Sequence, residues 1–345
     1  MTGSLHISKG ESYTLKGAAI FFIVLHNVVH LLCPIKENET TFDKENAIRF
    51  FNDFFDSPIT YFISFFGWMG VSVFVFISAY GLSAKYSNKK INPFNYIRDH
   101  YKKLCLLLMP ALLIFLLSSD GIIENPVSAI KHYVAEQLLV LNLIRPTEIW
   151  PLIYWYVGMA FQLYLLFLIF RNLSTGILLL TGIVCSLILS FSPTALLEYF
   201  RLNSIGWIPE FIFGLIYYRF REVKFGPSLI AGMSVFSLLM IVALSASRFT
   251  FFLGGIFFVI FMLTIRNWLS KLKIFEWLGV ISASIYVTHA MVRYFWMKYF
   301  PFTDEQSPLF IALLILVMSI ILAIPYSRYY NKINGSRFCL LKKKY

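Results

Sequence analysis

The sequence predicts an all-α polytopic membrane protein, a bundle of about ten transmembrane helices with both termini in the cytoplasm. Three observations indicate this fold class. Apolar residues occupy 58% of the 345 positions, charged residues occupy only 14%, and the mean hydropathy is +0.71. Soluble globular chains carry about a quarter charged residues. The apolar residues also form long runs, and the basic residues cluster between alternate runs.

The apolar runs define the predicted spans. A tilted helix needs about 17–25 residues to cross the hydrocarbon core, so the shorter runs must extend into their flanks. The predicted spans lie near residues 15–34, 58–82, 104–118, 152–170, 176–191, 205–218, 228–245, 249–265, 275–297 and 308–326.

Basic residues orient the predicted bundle. With a cytoplasmic N-terminus, 21 of the 30 lysines and arginines fall on the cytoplasmic side. They include a cluster in residues 83–103 and the run Lys342, Lys343 and Lys344. Lysine and arginine are enriched in cytoplasmic loops, whereas acidic residues have little influence on topology. The pattern predicts that both termini are cytoplasmic and that the number of spans is even.

The segments between the predicted spans are short. Residues 35–57 and 119–151 are predicted to be external, and residues 83–103 form a basic cytoplasmic loop. Residues 134–144 are apolar but too few to cross, which indicates an interfacial or re-entrant segment. We expect one membrane domain over residues 1–345 with no appended soluble domain.

Composition also bears on binding partners. The net charge of +12 is explained by the cytoplasmic loops, so we predict contact with membrane lipids and no nucleic-acid binding. The four cysteines lack metal-ligand or disulfide spacing. His30 follows His26 at helical spacing, but no third ligand is evident and Asn27 replaces the Glu of a zinc-protease motif. We therefore predict no metal site.

Ionisable residues at membrane depth are costly and mark candidate functional sites. His26 lies ten residues after Lys16, which is about 15 Å along a helix and places it near the midplane. His289 lies near the middle of the ninth predicted span, and Glu210 lies near the start of the sixth. The simpler interpretation of each is a hydrogen bond between helices, or a charge near the interface for Glu210. His26 is the main functional candidate because it is deep and is aligned with a basic residue.

A second candidate site is basic. Arg98, Lys102 and Lys103 precede the third predicted span. Such a cluster is typical of topological charge, and it also has the chemistry to bind a polyanion such as a nucleotide or coenzyme A.

Four segments in order along the chain resemble the integral membrane acyltransferase-3 family of bacterial O-acyltransferases that modify surface carbohydrates. Residues 15–26, with Lys16 and His26, resemble the basic residue and histidine of the family's first span. The glycine-bounded segment 67–81, the aromatic and Gln-containing segment 155–164 and the Ser-rich segment 278–289 resemble later family motifs.

The sequence also departs from the family pattern. Members often carry Arg where this chain has Lys16. Members often carry an Arg-x-x-Arg pair in the second cytoplasmic loop, for which the nearest equivalents here are Arg98, His100 and Lys103. The positive charge is kept, but the planar fork of the second Arg is lost.

The resemblance implies transfer of an acyl group, most often acetyl, from cytoplasmic acyl-coenzyme A to a hydroxyl of a cell-surface or lipid-linked polysaccharide in the bacterial inner membrane. Acyl-CoA would be the donor substrate, with no bound cofactor. His26 would be the general base, and Lys16, Arg98, Lys102 and Lys103 would hold the donor phosphates. The cavity and acceptor site would be formed by Trp155, Gln162, Tyr164, Glu210, Tyr286 and His289.

Two questions stay open from the sequence. The sugar could attack the thioester directly, or an acyl-enzyme could form first; the candidate hydroxyls are Ser72, Ser78, Ser282, Ser284 and Tyr286. The alternative function is a proton-coupled transporter of a small anion or lipid-linked sugar, with His26, Glu210 and His289 as the relay. The chain has no internal repeat and no matched pair of broken helices, which are typical of transporters.

Overall fold

A computed structural model describes residues 3–36, 38–118, 125–144, 154–300 and 307–334. Lys342, Lys343 and Lys344, part of the predicted cytoplasmic charge, lie outside the described residues. The described chain is almost entirely helical, as predicted, and one short antiparallel pair joins β1 (Gly3–Ser4) to β2 (Lys224–Phe225).

The helices follow in chain order. They are α1 (Lys9–Leu32), α2 (Lys44–Asp53), α3 (Pro58–Phe66), α4 (Gly70–Tyr86), α5 (Pro93–Ser118), α6 (Pro126–Gln137), α7 (Leu141–Ile144), α8 (Trp155–Phe170), α9 (Thr175–Phe191), α10 (Thr194–Arg201), α11 (Ile208–Arg219), α12 (Pro227–Ser245), α13 (Gly254–Leu269), α14 (Lys273–Val280), α15 (Ser282–Tyr299) and α16 (Pro308–Ile333). Short 3₁₀ turns lie at 54–56, 67–69, 204–207 and 251–253.

Six helical stretches among the described residues are long and apolar enough to cross a membrane: α1, α3 with α4, α5, α12, α13 with its preceding turn, and α16. A seventh is formed by α14 and α15 if this pair, bent by 77°, is one span. The predicted spans at 152–170 and 176–191 correspond to the shorter apolar helices α8 and α9. The membrane class is therefore supported, and the number of ten spans stays a prediction.

The helices differ in how far they are buried. In the most apolar part of 58–86, 83% of residues are buried, whereas in α12 only 17% are buried. Exposed apolar side chains on α9, α12 and α16 include Leu180, Leu239 and Ile321. An apolar helix surface of this kind suits contact with lipid rather than water.

Helix α1 is central to the bundle, where it packs against α3, α4, α13, α14, α15 and α16. It begins with a capping box in which the Ser8 side chain and Glu11 satisfy each other's backbone amides. The Arg266 Nε atom lies 3.0 Å from Glu11 Oε1, which ties the start of α1 to α13. Side chains on α1 are therefore surrounded by other helices and are held in fixed positions inside the bundle.

Close packing fixes the crossing of α1 with α14. A Cβ atom at Gly17 would lie 1.8 Å from the Phe275 carbonyl oxygen, and one at Gly279 would lie 1.8 Å from the Tyr13 carbonyl oxygen. At these distances no side chain fits, so both positions require glycine. Small residues allow a similar close approach of backbones at many membrane helix interfaces. Both glycines belong to segments that carry the family resemblance.

The predicted cytoplasmic loops lie together at one end of the bundle. The pairing of β1 with β2 joins the N-terminal segment to the chain after α11. The Arg171 guanidinium donates to the Lys89 carbonyl at 3.1 Å, and Arg219 donates to the Leu173 carbonyl at 2.6 Å. These contacts connect four loops that the charge pattern assigns to one side.

The predicted external loops meet at the other end. Arg201 Nε donates to the Glu39 carbonyl at 3.0 Å, and the Tyr199 hydroxyl donates to the Leu143 carbonyl at 2.7 Å. The apolar segment 134–144 lies here as the end of α6 and the short helix α7. It packs against α5 and α8 and does not form a span.

Candidate active site

A cavity of about 30 Å³ lies beside His26. This volume is enough for one water-sized group, so it admits the few atoms of a reacting centre, and a larger substrate must extend out of it. The cavity brings together three predicted site residues, His26, Trp155 and Tyr286. Its lining side chains are Ile23, His26, Asn27, Glu39, Trp68, Val71, Trp155, Tyr156 and Tyr286.

His26 is buried on α1, where it is 2% exposed. Its Nδ1 atom lies 3.1 Å from the carbonyl oxygen of Ile63 on α3. A carbonyl oxygen only accepts hydrogen bonds, so Nδ1 carries the hydrogen of the neutral ring and Nε2 keeps the lone pair. The backbone of α3 thereby holds His26 in the tautomer that a general base at Nε2 requires.

The glycine-bounded segment explains how α3 comes so near to His26. A Cβ atom at Gly67 would lie 2.6 Å from the His26 Cβ and 3.2 Å from the Phe22 carbonyl oxygen. At Gly70 it would lie 2.8 Å from the Ala19 carbonyl oxygen. The 3₁₀ turn between these glycines therefore packs directly on the backbone of α1, and its position depends on the missing side chains.

His289 lies on α15, fully buried and close to the cavity. Its Nδ1 atom lies 3.2 Å from the Ile285 carbonyl oxygen, and its Nε2 lies 3.5 Å from the amide nitrogen of Asn27. Asn27 lines the cavity, and its carbonyl accepts a 2.9 Å hydrogen bond from Arg293. His289 thus contacts the cavity wall through Asn27.

Aromatic rings form much of the cavity wall. Trp155, at the start of α8, stacks on Trp207 with ring centroids 5.6 Å apart and an interplanar angle of 26°. The Tyr286 ring lies 5.4 Å from the Tyr156 ring and 5.6 Å from the His289 ring. Such faces suit contact with a sugar ring or an acyl chain.

Two other predicted residues of α8 have different surroundings. The Gln162 amide nitrogen donates to the Asn142 side-chain oxygen at 2.8 Å, and the Gln162 side-chain oxygen accepts from the Ser204 backbone amide at 3.0 Å. Gln162 therefore joins α8 to α7 and to the turn before α11. The Tyr164 ring lies 5.0 Å from the His100 ring on α5. Neither residue lines the cavity beside His26.

Glu210 is paired within the protein. Its Oε1 atom lies 3.8 Å from Nη1 of Arg201 and 3.5 Å from the Ser72 hydroxyl, and both charged side chains are almost completely buried. Glu210 lies in the first turn of α11, where a carboxylate is favoured by the helix dipole. The pair links α10 and α11 to α4.

The predicted donor-binding residues occupy two helices. Arg98 and Lys102 are exposed near the start of α5, where Arg98 pairs with the adjacent Asp99 at 3.0 Å. Lys103 is half buried and interacts electrostatically with Lys85 at the end of α4. Lys16 is half buried on α1, on the cytoplasmic side of His26 as the charge pattern orients the chain.

The described part of the chain contains no group of three or more His, Cys, Asp or Glu side chains arranged to hold a metal ion.

His26, Trp68, Trp155 and Tyr286, which come from the four ordered segments, line one cavity. A family model described as an acyltransferase domain, that of the acyltransferase-3 family, matches residues 14–328. The chain belongs to the acyltransferase-3 family. Neither a curated protein nor a solved structure matches it.

Membership of the acyltransferase-3 family makes the protein a membrane acyltransferase. The match covers every predicted site residue, from Lys16 to His289, and confirms the resemblance stated from the four segments. The apolar helices agree with a multi-pass membrane protein.

Several residues at the site were not among those predicted from the sequence. Asn27, Glu39 and Trp68 line the cavity, and Arg201 binds the backbone of Glu39. Arg201 carried a sequence signal, because it is one of nine basic residues that fall outside the predicted cytoplasmic side. Glu39 carried none, since it follows Glu37 in an acidic loop and only the fold separates it from other acids.

Proposed function

We propose that the protein is an O-acyltransferase that moves an acyl group, acetyl in the first instance, from acyl-CoA to a hydroxyl of a cell-surface or lipid-linked polysaccharide. The single observation that carries this proposal is the placement of His26. Its Nδ1 is bonded to the Ile63 carbonyl oxygen while its ring lines a cavity with Trp155 and Tyr286.

His26 would act as the general base. Its Nε2 takes the proton from the acceptor hydroxyl, and the hydroxyl oxygen attacks the thioester carbonyl carbon. The carbonyl oxygen becomes an oxyanion, which nearby donors stabilise. The carbon–sulfur bond then breaks, and the coenzyme A thiolate takes the proton from the imidazolium. The products are the ester and free coenzyme A, and His26 returns to its neutral form.

Helix α8 offers a physical link between the two substrates. Tyr156 lines the His26 cavity, and Tyr164 contacts His100 on the basic helix α5. The two tyrosines are eight residues apart, which is about 12 Å along a helix. Both tyrosines make polar contacts with Ser78 of α4. A row of hydroxyls and rings thus extends from the donor helix toward His26.

The basic residues support binding of the donor phosphates. Lys16, Arg98, Lys102 and Lys103 would provide positive charge at the cytoplasmic end, where cations form short and strong hydrogen bonds with phosphate oxygens. Lys103 and Lys85 are close enough to repel each other, and a bound polyanion would relieve that repulsion.

The proposed topology has ten spans, with both termini cytoplasmic, in a bacterial inner membrane. The bias of Lys and Arg supports the orientation, and the contacts that gather the basic loops at one end of the bundle support a common side for them. Glu39, in a predicted external loop, lines the His26 cavity. An acceptor would therefore approach His26 from outside, and the acyl group would arrive from the cytoplasm.

The pairing of Glu210 counts against the transporter alternative. A proton relay through His26, Glu210 and His289 requires a carboxylate that can exchange protons with the histidines. The Glu210 carboxylate instead lies 3.8 Å from the buried Arg201 guanidinium, and this pairing supports a structural role that joins α10 to α11.

The deciding experiment measures release of coenzyme A. Purified protein in liposomes would be incubated with acetyl-CoA, succinyl-CoA or a longer acyl-CoA, with and without a bacterial glycan extract. We expect glycan-dependent release by the wild type and its loss in a His26→Ala protein that elutes as a folded particle. Uptake of substrate without acyl-CoA, together with no release from any donor, would support the transporter instead.

A further inference from the structure

A second cavity, separate from that of His26, lies at the basic end of the bundle. It has a volume of about 180 Å³ and lies between the ends of α4, α8 and α11. Pockets for a whole drug-sized ligand occupy about 300–1,000 Å³, so this cavity takes one part of a larger molecule. Its wall includes three aromatic rings and two guanidinium groups, those of Tyr86, Phe167, Tyr218, Arg171 and Arg219.

Cations surround this second cavity. Arg171 follows α8 directly, Arg219 is the last residue of α11, and both line the cavity. Lys85, near the end of α4, has its Nζ atom 4.9 Å from the centroid of the Tyr86 ring in the cavity wall. Among the described residues that line the cavity, none is acidic. The arrangement therefore favours an anionic ligand.

The acidic residues of the adjoining segments are each paired with another cation. The pairs are Glu222 with Arg221 at 3.2 Å, Asp99 with Arg98 at 3.0 Å and Glu11 with Arg266 at 3.0 Å. Glu222, the acid next to the end of α11, is also 80% exposed. Within the part of the chain that the structure describes, these acids therefore do not cancel the charge of Arg171 and Arg219.

The contacts of the two arginines hold their guanidinium groups in place. Arg171 Nη2 donates to two carbonyl oxygens at and just after the end of α4, at 3.2 and 3.1 Å. Arg219 donates to the Leu173 carbonyl at 2.6 Å and to the Thr175 hydroxyl at 3.0 Å. All four acceptors are neutral, and these bonds use two of the five N–H groups of each guanidinium. Both groups thus keep their charge and further donors for a ligand.

The second cavity is connected to that of His26 through α8. The Tyr86 ring centroid lies 6.2 Å from that of Phe167 and 6.3 Å from that of His100. Phe167 lies eleven residues after Tyr156, which lines the His26 cavity. Eleven residues of helix extend about 16 Å. The pantetheine arm of acyl-CoA separates the nucleotide from the thioester by a distance of this order.

A phosphorylated adenosine has the chemistry that this wall recognises. Adenine stacks on aromatic rings, and phosphate oxygens form charge-assisted hydrogen bonds with guanidinium groups. An anionic phospholipid offers a phosphate without a base, and its acyl chains require a lipid-facing surface. The cavity adjoins α4, which belongs to the most deeply buried of the candidate spans. This position favours a nucleotide that enters from water over a lipid headgroup.

We propose that this cavity binds the phosphorylated adenosine of acyl-CoA, with Arg171 and Arg219 binding its 3′-phosphate. The rings of Tyr86, Phe167 and Tyr218 provide the faces for adenine. The inference rests on the proposed function and deepens it, because it divides the donor site into two parts. The cations of α5 bind the diphosphate, and the second cavity binds the nucleotide end.

The first test compares two donors on the wild-type protein. Protein in phosphatidylcholine liposomes receives the glycan extract with either acetyl-CoA or acetyl-3′-dephospho-CoA, which lacks only the 3′-phosphate. We expect KM for the dephospho donor to be about tenfold higher or more, the effect of losing charge-assisted hydrogen bonds, with kcat unchanged. Donor KM values within twofold of each other in an active enzyme would overturn the proposal.

Arg171→Gln and Arg219→Gln test the two arginines. Each should raise KM for acetyl-CoA by about tenfold and leave KM for acetyl-3′-dephospho-CoA unchanged, so the preference of the wild type is lost. Arg248→Gln is the matched control, because Arg248 donates to the Ser192 carbonyl at 3.0 Å in a predicted external loop. A merely structural role would lower the amount of folded enzyme or change both donor KM values alike, and the preference would persist.

A binding measurement separates this inference from the proposed function. Calorimetry compares adenosine 3′,5′-bisphosphate with adenosine 5′-phosphate on His26→Ala protein in liposomes. We expect the bisphosphate to bind about tenfold more tightly, and Arg171→Gln to remove the difference. Equal binding would overturn the proposal, and a kcat that then rises with phosphatidylglycerol in the wild type but not in Arg171→Gln would assign the cavity to a lipid headgroup. No coenzyme A release by the wild type with any donor would instead overturn the proposed function, while nucleotide binding would still decide the role of this cavity.

Discussion

The Nδ1 atom of His26 lies 3.1 Å from the carbonyl oxygen of Ile63. This contact joins α1 to α3, the short helix that precedes the glycine-bounded turn. It makes a backbone group, rather than a carboxylate, responsible for the orientation of the proposed base. The tautomer of His26 therefore depends on how closely α3 and the following turn pack on α1.

Replacement of His26 by Ala tests the base directly. General-base catalysis contributes about 10²–10⁴-fold to rate, and we expect kcat for coenzyme A release to fall by this factor. Binding of acyl-CoA should be little changed, because the imidazole is far from the basic end of α5. The measurement is a steady-state assay in liposomes, with His6→Ala, a change at an exposed histidine, as the control. Normal kcat in folded His26→Ala protein would remove the base assignment.

Replacement of Gly67 by Ala tests the packing that positions the base. The new Cβ would lie 2.6 Å from the His26 Cβ, so the turn or α1 must move. Overpacking of this kind costs about 1–3 kcal/mol, and we expect a lower Tm in detergent together with a lower kcat. Gly232→Ala on α12 is the control, because its added Cβ meets nothing within 4 Å. A Gly67→Ala enzyme with the Tm and kcat of the wild type would contradict this account of the motif.

The sequence predicted the features that depend on residues close together in the chain. The lengths of the apolar runs predicted helices, and the spacing between Lys16 and His26 predicted that the histidine is deep within the bundle. The segment 275–297 was predicted as one continuous span, whereas the structure bends it by 77° near Ile281. No proline marks that bend, and its neighbour Gly279 is pressed against the Tyr13 carbonyl oxygen. A contact between residues so far apart in the chain leaves no local pattern.

The candidate site was likewise predicted only in part, and the missed residues are those that depend on contacts between distant parts of the chain. His26, Trp155 and Tyr286 were predicted and line one cavity. Glu39 and Arg201 were not, because their importance depends on contact across 162 positions of the chain. Only the fold can show that this acid, unlike Glu45, faces the base.

The buried pair of Arg201 and Glu210 should dominate local stability. Removing one partner of a buried ion pair leaves an uncompensated charge and costs about 3–5 kcal/mol. We expect Glu210→Gln to lower Tm markedly in a thermal unfolding assay in detergent. Glu222→Gln, at an 80% exposed acid that pairs with Arg221, should change stability by about 0.5 kcal/mol or less. Equal effects of the two changes would show that the Arg201 contact is not a stabilising pair.

The basic start of α5 should control donor affinity. Each charge-assisted hydrogen bond contributes about 1.5–3 kcal/mol, so the double change Lys102→Ala with Lys103→Ala should raise KM for acyl-CoA by about tenfold or more. KM for the acceptor should stay the same. Lys44→Ala with Lys131→Ala, at the opposite end of the bundle, is the matched control. A rise in acceptor KM instead would place the donor elsewhere.

Orientation in the membrane can be measured by cysteine labelling. Lys44 and Lys89 are exposed and lie at opposite ends of the bundle. Each would be changed to Cys in a protein whose four native cysteines are replaced by Ala. A membrane-impermeant maleimide should label position 44 in intact spheroplasts, whereas position 89 should react only after permeabilisation, because Lys and Arg favour the cytoplasmic side.

The reverse labelling pattern would have a chemical consequence. The cavity of His26 and Glu39 lies toward the end of the bundle that carries Lys44, so reversed labelling would turn this cavity toward the cytoplasm. The acceptor would then be a cytoplasmic or inner-leaflet glycan, and the basic helix α5 would face away from the cytoplasmic pool of acyl-CoA. The labelling result therefore decides whether donor and acceptor meet from opposite sides of the membrane, as the link through α8 requires.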